Sequence, residues 1–188
     1  MQDRMLEILK SKDSRCLVGI PRIYDRTDWP TPEKAAFWQR YARSEVLSLY
    51  SKKKQYGSAF ITRPDAVKEI DNADFFKLVQ KIWTGRRVVV VLGEGTGFLK
   101  KIGIIDGCSS HIIIYGPKEN AFSVYKELYR TVRELTTPDD VIILSLGATA
   151  TVMAYDLSLD DRQALDLGHM GQFYNRTHPK ATPLALND

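Results

Sequence analysis

The sequence predicts a Rossmann-like α/β domain, with a mostly parallel sheet of about six strands and helices on both faces. Two observations lead to this prediction. Short β-rich runs alternate with amphipathic segments along the 188 residues. Several of these runs are almost continuous valine, isoleucine and leucine, which is typical of strands buried on both faces of a parallel sheet.

The β-rich runs give the predicted strands. In chain order they are Cys16–Ile20, Ser58–Thr62, Val88–Leu92, His111–Tyr115, Val141–Leu146 and Ala164–Leu167. Because ligands of such sheets bind beyond the carboxyl ends of the strands, the loops that follow these runs are the places to look for a site.

The segments between the runs are predicted helices, since their apolar residues recur at helical spacing. Thr31 precedes the first of these helices as an N-cap, and Pro32 occupies its first position. Asn72 and Asn120 are predicted N-caps of the next two. The helices are Pro32–Tyr50, Ala73–Trp83, Ala121–Leu135 and a shorter one at Thr149–Leu157.

Composition sets the broad class of protein. With 44% hydrophobic and 27% charged residues and a net charge of +4, the chain is typical of one globular domain rather than a disordered protein. We expect the domain to span residues 1–176, with a loose tail at 177–188. No apolar run approaches the roughly 18 residues that cross a membrane, and the charged N-terminus does not resemble a signal peptide.

The charged residues and the cysteines limit which kinds of partner the chain is expected to bind. The basic clusters Lys52–Lys54, Arg86-Arg87 and Lys100-Lys101 are small, so we expect solvated surface and no nucleic-acid partner. Cys16 and Cys108 are too few for a disulfide framework, and we expect buried thiols in the reducing cytoplasm. Cys108 and His111 have half the spacing of a zinc site, and no second pair completes it.

The glycine-rich turn after the third predicted strand is a candidate ligand site. It reads Gly93-Glu94-Gly95-Thr96-Gly97, and glycine lets the backbone approach a ligand closely. Its G-x-G-x-G spacing departs from the dinucleotide fingerprint G-x-G-x-x-G. A tight turn and a dinucleotide (NAD) site both remain open for this segment. Glu94 is either a surface acid of the turn or a functional carboxylate that projects from the strand tip.

A second candidate is the turn of small residues Gly147–Thr151, which enters a predicted helix. Free backbone N–H groups at a helix start, with the hydroxyls of Thr149 and Thr151, suit a phosphate. Close packing of helix on sheet requires the same small residues. The turn lacks the lysine of a P-loop.

The remaining candidates follow other strands. Arg63 ends the second predicted strand, where its guanidinium could clamp a diphosphate. Asp166 and His169 end the last one, and an acid with an imidazole could orient or deprotonate an acceptor hydroxyl. A structural histidine and a simple N-cap at Asn120 are the alternatives.

Taken together, these segments resemble a known family, the GT-D-type glycosyltransferase domain, over roughly residues 3–175. The most specific parts are Leu146–Leu157, with the pattern Leu-Gly-x-Thr-Ala-x-x-x-Ala-x-Asp-Leu, and Asp166–His169, with Asp-x-Gly-His. Shorter matches are Leu17–Pro21, Ala36–Trp38, Phe60–Pro64, Gly93–Gly95 and Gly116–Phe122.

The resemblance implies a cytoplasmic enzyme that transfers a sugar from a nucleotide-diphosphate donor, a UDP-sugar, to a glycan acceptor in polysaccharide or glycoprotein glycan synthesis. It implies that Glu94, Asp166 and His169 face the reacting sugar or the acceptor hydroxyl. The implied donor-binding residues are Arg63, Gly93, Gly95, Asn120, Gly147, Thr149 and Thr151.

The resemblance also implies a divalent cation, Mn²⁺ or Mg²⁺. Similar domains carry an Asp-x-Glu metal motif upstream of the segment that Met1–Lys10 matches, and residues 1–188 contain no identified ligand set. The stretch Phe98–Asp106 also departs from the Gly-x-Gly-Asn-Asp-like pattern of similar domains. The alternative function is therefore a nucleotide-sugar-binding module, or a partner subunit, with impaired catalysis.

Overall fold

The computed structural model describes residues 1–21, 31–40, 48–51, 54–63, 72–99 and 102–178. Its helices are α1 (Gln2–Lys10), α2 (Pro32–Gln39), α3 (Asn72–Gln80), α4 (Tyr125–Leu135), α5 (Ala148–Leu159) and α6 (Met170–Thr177). Its strands are β1 (Gly19–Ile20), β2 (Gly57–Ser58), β3 (Arg87–Gly93), β4 (Ser110–Gly116), β5 (Val141–Ser145) and β6 (Gln163–Asp166). Short 3₁₀ helices cover Ala59–Thr62, Ile102–Ile105 and Ala121–Val124.

The strands form two parallel sheets rather than the predicted single sheet of about six strands. Four strands pair in the order β4-β3-β5-β6, and β1 pairs separately with β2. Val89 is aligned with Ile112 of β4 on one side and with Ile142 of β5 on the other. The α/β class and the parallel direction are confirmed, and the correction concerns how the strands are grouped.

Burial on both faces of β3 and β5 confirms that helices cover both faces of the larger sheet. Val88 and Val90 pack into one core with Trp83, while Val89 and Val91 pack into a second core on the opposite face. All four valines are completely buried. The nearly continuous apolar run in the sequence is therefore explained by two cores, one on each side of the strand.

The second predicted strand, Ser58–Thr62, is the clearest error at the level of elements. Only Gly57–Ser58 is extended, and a 3₁₀ helix begins at Ala59. The cause is local: the Ser58 hydroxyl oxygen accepts a hydrogen bond from the backbone N–H of Phe60 at 3.2 Å, which turns the chain away from an extended conformation. Phe60 is buried in that turn.

The predicted helices exist, with different bounds. α2 begins at Pro32 as predicted and ends at Gln39, and residues 41–47 of the predicted helix lie outside the described residues. A 3₁₀ helix occupies the start of the predicted helix Ala121–Leu135. Asn120 precedes it in a left-handed conformation, with φ 51° and no side-chain capping hydrogen bond, so the predicted side-chain cap is wrong.

The predicted boundary between domain and tail falls within the last helix, α6. The tail that we predict from residue 177 overlaps the last residue of α6, and residues 179–188 lie outside the described part of the chain. Within the described residues, no helix combines the length and the hydropathy needed to span a bilayer.

The N-terminal helix α1 is fixed to the body of the domain by a partly buried polar contact. Arg4 of α1 and the Tyr125 hydroxyl both donate hydrogen bonds to the Asp156 carboxylate on α5. Burial, followed by this carboxylate, raises the pKa of Tyr125, so its hydroxyl stays protonated and donates. Ile8 packs nearby against Val152 and Tyr155.

Asp156→Ala should destabilise the fold, because it leaves the Tyr125 hydroxyl and the Arg4 guanidinium without their acceptor. We expect a loss of about 1–2 kcal/mol in the free energy of unfolding, measured by urea denaturation. Glu7→Ala is the matched control: Glu7 pairs with the same arginine but is 51% exposed, so its loss should be within about 0.5 kcal/mol. Equal effects of the two substitutions would contradict this account.

Candidate active site

The candidate residues collect at one edge of the larger sheet. Because β3, β4, β5 and β6 are parallel, their carboxyl ends lie at the same edge. Gly93 ends β3 and Asp166 ends β6, with β5 between them. Two strand spacings separate these ends by about 10 Å. A ligand that lies over the end of β5 could therefore contact both.

Asp166 is the centre of the better-defined half of this edge. The Thr151 hydroxyl donates to Asp166 Oδ2 at 2.7 Å, and the backbone N–H of Gly168 donates to Oδ1 at 3.1 Å. Burial raises the pKa of Asp166, and the Thr151 hydroxyl, the Gly168 N–H and the charge of His169 lower it by less. The structure thus brings together three residues singled out in the sequence, Thr151, Asp166 and His169.

The turn after β6 sets this geometry. Gly168 has φ 48°, a left-handed conformation that suits glycine, and the Ser145 hydroxyl donates to its carbonyl at 2.8 Å. The chain then enters α6 at Met170, with His169 at the N-cap position. The His169 side chain makes no capping hydrogen bond and is exposed. An exposed imidazole beside a largely buried carboxylate can exchange a proton with a bound ligand.

Arg63 lies on the same side of the edge. It follows the 3₁₀ helix rather than a strand, which corrects the predicted position. Its guanidinium carbon is 5.2 Å from the ring centroid of Phe173 on α6, a favourable cation–π contact. The Thr62 hydroxyl lies beside Gly168. A cation is therefore held close to the Asp166 turn.

The turn before α5 presents its backbone rather than its threonine hydroxyls. Gly147 has φ 56° and ψ −147°, which only glycine adopts readily, and α5 begins at Ala148. Thr149 is 3% exposed, and Thr151 is engaged with Asp166. Backbone N–H groups at the start of α5 can face an anion here, whereas the Ala150 N–H already donates to the Gly147 carbonyl at 3.0 Å.

The glycine turn after β3 lies at the other half of the edge. A Cβ on Gly93 would come within 3.2 Å of Lys118 Cα, and the Glu94 N–H donates to the Gly116 carbonyl at 2.9 Å. Gly95 has φ 67°. Glu94 is exposed, as is Asn120 further along the loop after β4. Close packing against this loop therefore accounts for Gly93. Among the residues that the structure describes, none forms a hydrogen bond or an ion pair with the exposed Glu94 carboxylate.

Two residues that support the site were missed in the sequence. Ser145 holds the Gly168 turn, and Asn175 on α6 donates to the Gly97 carbonyl at 2.6 Å, next to the glycine turn. Ser145 could have been found as the polar residue that ends an apolar strand. Asn175 had no such signal, because its contact spans 78 positions.

A cavity opens beside this cluster. It has a volume of about 720 Å³ and lies between β6 and the β1–β2 pair, with Thr151 and Asp166 in its wall. Cys16 also lines it, and burial raises the pKa of that thiol. Cys16 and Cys108 are both free and half-buried.

The residues that the structure describes do not fit the metal implied by the resemblance. Across those ranges no three His, Cys, Asp or Glu side chains gather to hold an ion. Cys108 and His111, which have half the spacing of a zinc site, belong to no such group of ligands among these residues. The basic pair Arg86 and Arg87 lies at the opposite edge of the sheet, where Arg87 pairs with Asp140 at 2.8 Å. Arg86 and Arg87 therefore make structural contacts at that edge.

The parallel α/β sheet thus has an acid, an imidazole and an arginine at its carboxyl edge, which is where the ligands of such sheets bind. The family model described as glycosyltransferase GT-D fold matches residues 1–183. The chain therefore belongs to the GT-D family, as the sequence resemblance implied.

Two curated relatives of this chain are named as glycosyl transferases. A probable glycosyl transferase, Gly, of Streptococcus gordonii is 30% identical over 178 residues, which cover 91% of this chain and 26% of that protein. Glycosyltransferase GlyD of Streptococcus pneumoniae serotype 4 is 29% identical over 155 residues, covering 79% of this chain and 18% of that protein. The chain thus spans about a quarter or less of the curated relatives it matches.

Solved structures show the same fold. One described as a domain of unknown function 1792 with a distinct glycosyltransferase fold matches 99% of this chain and 69% of its own, with a TM-score of 0.83 and 28% identity. Another, described as a new glycosyltransferase from Streptococcus sanguinis, matches 95% of this chain and 69% of its own, with a TM-score of 0.80 and 27% identity.

Asp166→Asn should stabilise the protein, and increasingly so as the pH rises. The folded pKa of Asp166 is raised, so its contribution to stability is fully present below its unfolded value near 4 and is lost as the pH rises through the folded pKa. An amide stays neutral and can still bond to Thr151 and Gly168. Urea unfolding from pH 4 to 8 measures the difference between variant and wild type.

Asp139→Asn is the control, because this aspartate is exposed and its replacement should change the free energy of unfolding by no more than about 0.5 kcal/mol. A stability difference for Asp166→Asn that is the same at every pH would show that the carboxylate is not penalised by burial.

Proposed function

We propose that this domain transfers a sugar from a nucleotide-diphosphate donor, a UDP-sugar, to a hydroxyl group of a glycan acceptor. The observation that carries the proposal is the largely buried Asp166 beside the exposed His169, at the carboxyl edge of a GT-D-family sheet. The names of the curated relatives support the reaction class. We further propose a cytoplasmic role in polysaccharide or glycoprotein glycan synthesis, which the free, half-buried cysteines support.

The donor would lie over the end of β5. The N–H groups of the first turn of α5 and the guanidinium of Arg63 would share the negative charge of the diphosphate. That charge grows as the sugar leaves, so groups fixed in advance at this position stabilise the transition state more than the bound donor. A Cβ built on Gly95 or Gly147 would meet none of the described atoms within 4 Å, so the backbone at these two glycines would leave room for the rest of the nucleotide.

The acceptor would lie on the side of His169. An acceptor oxygen forms a bond to the anomeric carbon, the bond from that carbon to the diphosphate breaks, and UDP leaves with the bonding electrons. His169 takes the acceptor proton as general base. Asp166 stabilises the resulting imidazolium through its negative charge. Glu94, on the far side of the edge, would bind the hydroxyls of the transferred sugar.

A divalent cation at this edge of the sheet would neutralise part of the negative charge of the diphosphate. Because the described residues do not form a ligand cluster for it, every step above uses only the side chains and backbone of this chain. The same observation favours the alternative function, a module that binds the nucleotide sugar without turning it over.

Donor binding is tested by thermal shift with UDP, GDP, CMP and NAD, each with and without Mn²⁺. UDP at 100 times its dissociation constant adds about 2.7 kcal/mol of stability, which should raise the midpoint by roughly 5–10 °C. Arg63→Ala should abolish most of this shift, because it removes the charge nearest the diphosphate. A shift with NAD and none with UDP would point to a dinucleotide-dependent oxidoreductase instead.

Catalysis is tested by the release of UDP from UDP-glucose, with water as the acceptor. His169→Gln should lower kcat about 100-fold or more while UDP binding is kept. His111→Gln is the matched control, because His111 is also exposed but lies near the start of β4, at the opposite edge of the sheet. Binding of UDP with no release of UDP from the wild-type domain would favour the binding module.

A further inference from the structure

The last helix, α6, has one face that is not packed into the core. Met170 and Tyr174 pack into the core with Phe98, which directs the opposite face of the helix outward. Phe173 and Arg176 lie one helical turn apart on that outer face, since three positions separate them. Phe173 is half-buried and Arg176 is exposed. The outer face of α6 therefore carries an aromatic ring with a cation beside it.

Two guanidinium groups lie against this one ring. The guanidinium carbon of Arg63 is 5.2 Å from the ring centroid of Phe173, and that of Arg176 is 5.5 Å from it. Arg63 comes from a distant part of the chain, and its backbone N–H donates to the Phe60 carbonyl at 2.8 Å. Two like charges held near the same ring repel each other, and an anion bound between them removes that repulsion.

Arg133 of α4 also lies on an aromatic ring but differs from Arg176 in its partner. Its guanidinium carbon is 5.8 Å from the ring centroid of Tyr129, and it pairs with Asp160 at 2.7 Å. Arg176 forms no ion pair with any carboxylate of the residues that the structure describes. The ring of Phe173 therefore positions a guanidinium whose donors can bind an anionic ligand.

The course of α6 brings these arginines to the proposed donor position. The helix follows the turn at Asp166, and Asn175, next to Arg176, donates to the Gly97 carbonyl at 2.6 Å. It thus runs from the end of β6 toward the loop after β3, and β5 lies between these two strands. Phe173 is between the two contacts along the helix, so its ring lies close to the end of β5.

A diphosphate is the ligand that matches two neighbouring guanidiniums. Each guanidinium can donate two parallel N–H bonds to one phosphate group. The shared ring restricts where each side chain can lie, and this lowers the entropy that is lost when a ligand binds. The described residues gather no ligand cluster for a divalent cation, whereas Arg63 and Arg176 can supply positive charge to a diphosphate.

We propose that Arg63 and Arg176 each bind one phosphate of the donor diphosphate, and that Phe173 is the positioning residue that holds both guanidiniums in place. This inference rests on the proposed function and adds Arg176 and Phe173 to the residues that carry it. It follows that the domain binds UDP in the absence of a divalent cation and binds UDP more tightly than UMP.

The proposal is tested by isothermal titration calorimetry of the full chain with UDP and UMP in EDTA, which removes divalent cations. Wild type should bind UDP about tenfold or more tightly than UMP, because the second phosphate gains charge-assisted hydrogen bonds. Arg176→Ala should weaken UDP binding by about tenfold or more. Arg133→Ala is the matched control: it also removes an exposed arginine from an aromatic ring, and it should leave the affinity for UDP unchanged.

A pair of variants tests Phe173 as a positioning residue. Phe173→Leu keeps an apolar side chain on α6 but removes the ring, so UDP should bind roughly two- to fivefold more weakly. Phe173→Tyr keeps the ring and should bind UDP as wild type does. A purely structural role of Phe173 would lower the thermal unfolding midpoint of Phe173→Leu without changing its affinity for UDP. If Phe173→Leu does not fold, Arg176→Ala tests the proposal by itself.

Three results would overturn the proposal. An affinity for UDP that Arg176→Ala leaves unchanged would make Arg176 a solvated surface residue. Equal weakening by Arg133→Ala would mean a general effect of net charge. Binding of UDP to wild type with Mn²⁺ but not in EDTA would mean that a cation holds the diphosphate, and it would leave the proposed function intact. Failure of UDP to bind under either condition would instead contradict the proposed function, on which this proposal rests.

Discussion

The burial of β3 and β5 on both faces is the constraint on which the rest of the structure depends. Val88–Val91 are completely buried, and so are Val141–Leu144. Strands of this kind need a hydrophobic layer on each side, and α3 and α4–α5 contribute to those two layers. With both faces closed by side chains, the backbone at the ends of the strands is where polar groups can meet a ligand.

The buried carboxylates at the two edges of the sheet have different hydrogen-bond partners. At the amino edge, Asp140 is 4% exposed and accepts hydrogen bonds from Arg87 and from the Thr137 N–H, each at 2.8 Å. Charge there is paired within the fold. At the carboxyl edge, the hydrogen bonds that Asp166 accepts from described residues come only from the neutral Thr151 hydroxyl and Gly168 N–H, and burial raises its pKa. An acid kept at a cost to stability is characteristic of a site that acts on a ligand.

The supporting contacts of the site come from distant parts of the chain. Ser145 holds the turn at Gly168, Asn175 holds the carbonyl of Gly97, and Phe173 lies beneath the guanidinium of Arg63. α6 contributes two of these three contacts, so it links the Asp166 half of the edge to the glycine turn after β3. This is how a short helix without an N-cap side-chain bond becomes part of the site.

The sequence by itself determined the α/β class, the strands β3 to β6, the helices α3 to α5 within a few residues and the pairing of Asp166 with His169 as candidates, but not the helices α1 and α6. It could do so because unbroken β-branched runs and helical spacing are local patterns. The tertiary structure decided what depends on distant contacts or on a single side chain. The Ser58 hydroxyl converted a predicted strand into a 3₁₀ turn, burial withdrew the Thr149 side chain from the surface, and α1 was fixed by Asp156, 152 positions from Arg4. Packing of distant residues also separated β1 and β2 from β6, which no local pattern in the sequence indicates.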